Sequence, residues 1–122
     1  MANAEGDGPF PMKSSPKDRS ELVSTVETVD ARRVATNKVT IVINATGTTT
    51  TNFWKNPLLK PVKYVQAPTD GIWDFEFVAD KPEASNDMIT PIKATYDWGT
   101  PPPDVKEVRI IAKSNNRTAP VK

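Results

Sequence analysis

Cysteine and histidine are both absent from this chain of 122 residues. The first absence removes disulfides, thiolate nucleophiles, iron-sulfur clusters and the usual structural zinc sites. The second removes Ser-His-Asp and Cys-His relays, most metal chemistry, and the side chain that ordinarily moves protons near neutral pH. Any catalysis would fall to Asp, Glu, Lys, Tyr or Arg alone, so the composition leans away from an enzyme. No cofactor and no metal is expected.

An excess of charge of one sign is lacking too. Sixteen Lys and Arg stand against 15 Asp and Glu, and a net charge of +1 supplies no global field for nucleic acid or an anionic bilayer. Long hydrophobic runs are missing as well. The opening MANAEGDGPFPMKSSPKDRS holds no signal-peptide core, and nothing later approaches the roughly 20 apolar residues of a membrane helix. A soluble, cytoplasmic protein is expected, in which Asn44-Ala45-Thr46 and Asn116-Arg117-Thr118 match the glycosylation triplet by chance.

What the chain does have is β-branched and aromatic residues punctuated by 12 prolines. Residues 1–19 carry Gly, Pro and balanced charges with almost nothing to bury, and are expected to form a disordered arm. Residues 115–122 are equally polar and are expected to fray. The span between, 20–114, reads as one β domain, since a chain of this length fits a single core.

Six strands are expected within it. The first, 21–29, is ambiguous: Leu22, Val26 and Val29 fit a helical spacing, but LVSTVETV is rich in Val and Thr, which favours a strand. The second, KVTIVINATG, alternates cleanly. A third at 60–66 leads through Pro68-Thr69-Asp70-Gly71, a turn closed by a left-handed glycine, into the fourth, GIWDFEFVADKP. The fifth sets Ile92, Ala94, Tyr96 and Trp98 on one face. A stiff proline-rich link, 99–104, leads to the last, with Val108, Ile110 and Ala112 inward. The expected fold is an all-β antiparallel β-sandwich of about six strands, with a small β-barrel as the alternative.

Two carboxylates, Asp74 and Glu76, share the face of the fourth strand opposite Trp73, Phe75 and Phe77, about 7 Å apart. That spacing suits glycoside hydrolysis, yet a general acid needs burial, and a wet strand face does not provide it. They are the only catalytic candidates, for a carboxylate-dependent hydrolase, and a solvated face paired with Lys60 and Lys63 is the favoured reading. Asp80, Glu83, Ser85, Asn86 and Asp87 gather oxygen ligands without the spacing of a calcium loop. NATGTTTTNFWKN lacks the ending of a phosphate-binding loop and reads as strand or polar loop.

Arg32, Arg33 and Lys38 form one basic cluster, and Lys55, Lys60 and Lys63 another, interleaved with Phe53, Trp54 and Tyr64. The second has the ingredients of base stacking, but near-neutral total charge argues against nucleic acid as a partner. Phe53 and Trp54 stand outside any alternation, before Pro57. They either plug one end of the sandwich or contact a ligand or partner. The function expected is a small non-enzymatic binding or protein-interaction module for an unknown protein or small ligand. A structural subunit of a larger assembly, joined as a homo-oligomer through edge strands, is a further alternative.

Overall fold

A computed structural model describes residues 20–64 and 66–122, so the expected arm 1–19 lies outside the described residues. The fold is all-β: two sheets pack face to face and do not close into a barrel. Eight strands run in the order β1 (Ser20–Leu22), β2 (Thr25–Ala35), β3 (Val39–Thr51), β4 (Lys55–Pro61), β5 (Ile72–Asp80), β6 (Asp87–Trp98), β7 (Glu107–Ile111) and β8 (Asn116–Pro120).

The five-stranded sheet centres on β5. One edge of β5 takes β4, and the other takes β7 along its first half and β1 along its second, with β8 beyond β7. The three-stranded sheet is β2-β3-β6, antiparallel throughout. Between the sheets lie Val26, Ala31, Ile41, Ile43, Leu59, Phe75, Phe77, Val108 and Ile110, nearly or wholly removed from water. These are the inward parities of their strands, and their burial is the main driving force of the fold.

Four expectations need correction. The segment 21–29 is two strands, because the chain changes sheets inside it: Val23 N–H donates to Phe77 O at 2.9 Å in one sheet, and Ser24 N–H donates to Thr48 O at 3.0 Å in the other. Val23 and Val26 are both fully buried at a spacing that no uninterrupted strand gives, while Leu22 and Val29, which with Val26 suggested a helix, are only half-buried. The third strand is displaced from 60–66 to Lys55–Pro61. The sandwich is not purely antiparallel, since β5 and β7 run parallel, joined by a crossover through β6 in the facing sheet.

The fourth correction concerns 115–122, which is an integral strand and not a frayed end. β8 pairs along the whole of β7, and the chain then reaches the other sheet: Lys122 N–H donates to Ala31 O at 3.0 Å, and Arg33 N–H donates to Lys122 O at 2.8 Å. Asn115 supports the same corner, its side chain donating to Val26 O and accepting from Val26 N–H, both at 2.9 Å. Polar side chains there concealed a structural role carried by backbone.

Two glycines fix local geometry. Gly71 has φ +76° and closes the Asp70-Gly71 turn as expected, with Asp70 Oδ1 accepting from Ile72 N–H at 3.0 Å. Gly47 lies within β3, where a Cβ would meet Thr25 O at 2.0 Å. A glycine inside a strand pattern is the usual mark of such a close approach, beside the bulge at Val26/Thr28.

Candidate functional site

The two carboxylates are on the outer face of β5, as their parity requires, but they are not equivalent. Asp74 sits opposite Arg109 in the parallel β5/β7 register. Arg109 grips it bidentately, Nε to Oδ1 at 2.6 Å and Nη2 to Oδ2 at 3.2 Å, while Tyr64 OH donates to Oδ2 at 2.9 Å. The Tyr64 hydroxyl also accepts from Asp74 N–H at 2.7 Å. The Asp74 side chain is only 15% exposed against 40% for Arg109, so this is a partly desolvated network and not the wet face expected. Burial is the largest influence on Tyr64 and pushes its phenol up; the carboxylate holds Arg109 more firmly protonated.

Glu76 faces Lys60 across the β4/β5 register, the pairing expected for it. Lys60 and Lys63 do not partner Asp74, because Arg109 and Tyr64 occupy both of its oxygens. Neither carboxylate lines the concavities at Phe53, Trp54 or Thr46.

Phe53 and Trp54, expected together at one end, are in the β3/β4 link and play different parts. Phe53 is 61% exposed and held at φ +69°, a conformation uncommon for a bulky side chain. Trp54 turns the other way: it packs against the core and donates Nε1–H to Thr51 Oγ1 at 2.8 Å. The plug and the exposed contact are thus adjacent residues.

Two concavities flank this pair. One, of about 400 Å³, is lined by Phe53, Lys55 and Asn56 on one side and by Asp80 to Ala84 on the other. Asn56, also at positive φ (+53°), donates to Asp80 Oδ2 at 2.9 Å and joins its two walls. The second, of about 250 Å³, has Trp54 in its wall beside Ser24, Thr51, Lys81, Lys113 and Ser114. Lys81 borders both. A third, shallow concavity of about 300 Å³ lies at Thr46 and Pro91 to Lys93, on the outer face of the three-stranded sheet.

The other candidates are not assembled. Tyr64 is committed to Asp74, while Lys55 lies opposite Asp80 at the far end of β5, so the aromatic and basic residues of 53–64 form no single stacking surface. Arg32 pairs with Asp30 at 2.9 Å, and Arg33 donates to Val105 O at 3.2 Å. The run NATGTTTT continues β3. Among the described residues no group of three or more acidic side chains converges in the manner of a metal site. Nor is any helix there long and apolar enough to cross a membrane.

Sequence reasoning missed Lys81, Asn56 and Arg109. Lys81 and Asn56 join the site through the pairing of β4 with the end of β5, and Arg109 reaches Asp74 through a parallel pairing; neither leaves a local pattern. No protein-family model, characterised protein or solved structure is detectably similar to this chain.

Proposed function

We propose that this chain is a non-catalytic binding module whose ligand or partner engages the Phe53 end of the sandwich. The observation that carries this reading is the exposed Phe53 ring, fixed at positive φ at the mouth of the larger concavity with Lys55 and Lys81 beside it. A strained backbone that projects a large apolar side chain into water serves no packing purpose, and such outliers cluster where ligands are held. The aromatic face and flanking ammonium groups suit a partner that presents an apolar group next to an anionic one. Against the hydrolase alternative stands Asp74, whose oxygens are spent on Arg109 and Tyr64.

Amide NMR with an anionic aromatic probe, anilinonaphthalenesulfonate, tests the reading. Shifts confined to Phe53, Lys55, Asn56 and 80–84, and abolished in Phe53→Ala with Lys81→Ala, are expected. Shifts elsewhere, or shifts that survive the double variant, would overturn it.

A further inference from the structure

We propose that the free edge of β6 pairs with the same edge of a second copy of this chain, antiparallel about a two-fold axis at Thr95. β6 is the outer strand of the three-stranded sheet. Its register with β3 is unbroken from Thr90 to Trp98, and Pro91 stands opposite Thr48 within it. Proline has no N–H to give a neighbouring strand, so Pro91 occupies a position whose backbone points away from β3. The same holds for Lys93, Thr95 and Asp97, which share its parity. Among the described residues no backbone hydrogen bond reaches these groups from outside the β3 pairing.

The other edges are closed or blunted. β2 and β8 are tied to each other through Ala31, Arg33 and Lys122. β4 carries Pro57, Pro61, Lys55 and Lys60, the residues that protect edges from pairing. β6 offers a proline-free stretch, 92–98, whose outer edge receives no backbone hydrogen bond among the described residues, ended at one side by Pro91 and at the other by Gly99 and the proline-rich link.

Charge selects the occupant. Lys93, Thr95 and Asp97 are all exposed on one face of β6, and the sequence Lys-Ala-Thr-Tyr-Asp is self-complementary when reversed about Thr95. An antiparallel two-fold pairing sets Lys93 against the partner's Asp97, Thr95 against the partner's Thr95, and Asp97 against the partner's Lys93. Each is a hydrogen-bonded pair of the new ladder, with opposite charges about 5.5 Å apart at the Cα atoms. Within the proline-free stretch 92–98 any other antiparallel register loses both ion pairs, and the two-fold makes the contact isologous, so it closes at two copies.

This surface is separate from the Phe53 end, and its test leaves that reading untouched. Analytical ultracentrifugation of the full chain should show a concentration-dependent dimer. In the dimer the Lys93, Thr95 and Asp97 amides should exchange with solvent more slowly as concentration rises. Lys93→Asp and Asp97→Lys should each weaken dimerisation by about tenfold or more, since two attractive pairs become repulsive. The double variant should restore it, and matching thermal melts show that each variant folds. A chain that stays monomeric at NMR concentrations, or a dimer indifferent to these reversals, would overturn the proposal.

Discussion

At one end of the sandwich Tyr64, Trp73 and Trp98 meet edge to face with centroids 5.5 and 5.8 Å apart, while at the other Phe53 projects into water beside an open concavity. Both ends are crossed by irregular connections. At the first, residues 66–71 and 99–106 fold over the strand ends: Lys106 N–H donates to Gly71 O at 2.9 Å, and Val105 is buried. At the second, the links at 52–54 and 81–86 are held by hydrogen bonds at their bases, Asn52 N–H to Asn86 O at 3.2 Å and Asn86 N–H to Asn52 Oδ1 at 2.9 Å. Aromatics that stabilise one end are partly withheld from the core at the other. The difference teaches that large apolar residues in the links are not interchangeable filler, and stability measurements can separate the two uses.

The largest contrast should come from truncating rings that close the packed end. Phe75 is 1% exposed and touches both Tyr96 and Trp98, with centroids 5.3 and 5.2 Å away. Phe75→Ala should cost about 3 to 5 kcal/mol, and Trp73→Ala at least about 3. Trp54→Ala should cost only about 1 to 2 kcal/mol, because its indole borders the second concavity and leaves no closed void. Urea unfolding at equal m-value reads all three. Equal losses for Trp54 and Trp73 would make both ends closed and erase the comparison.

Tyr64→Phe sharpens it at an intermediate scale. The hydroxyl donates to Asp74 Oδ2 and accepts from Asp74 N–H, so its removal should cost about 1 to 2 kcal/mol at neutral pH. Burial raises the Tyr64 pKa above its unfolded value. A group of that kind adds stability that is full below the unfolded pKa, about 10, and is lost as pH climbs through the folded one. Wild type should therefore lose stability above pH about 10, and the gap to Tyr64→Phe should narrow there. A gap that stays constant through alkaline titration would mean that Tyr64 packs without its hydrogen bonds mattering.

The packed end was largely legible in the sequence, and the reason is periodicity. Phe75 and Phe77 in β5, and Ala94, Tyr96 and Trp98 in β6, repeat every second residue, which assigns them to one face before any pairing is known. The turn at Asp70-Gly71 was legible from turn chemistry. What stayed hidden depends on partners distant in sequence. Arg109 meets Asp74 only through a parallel pairing, β8 looked loose because backbone, not side chains, ties it down, and the sheet change at Val23 and Ser24 interrupts an alternation too short to betray it. The Phe53 end was half legible: the pair was marked by its lack of pattern, but the left-handed backbone angle at Phe53 carries no glycine or asparagine to announce it.

That angle supplies the smallest predicted effect. A bulky residue in the left-handed region costs about 1 to 2 kcal/mol relative to ordinary backbone, and glycine at the same place avoids that strain. Glycine in turn loses about 0.5 to 1 kcal/mol through the greater freedom of its unfolded chain. With Phe53 61% exposed, little packing is forfeited when the ring is removed. The terms nearly cancel, so Phe53→Gly should leave stability within about 0.5 kcal/mol of wild type while abolishing the NMR shifts caused by the anionic aromatic probe. Phe53→Ala keeps the strain and should be the less stable of the two variants, by up to about 1 kcal/mol. A loss above about 1.5 kcal/mol for Phe53→Gly would show that the ring packs as Trp73 does. The second end of the sandwich would then be closed like the first, and the strained turn would serve the fold instead of a ligand.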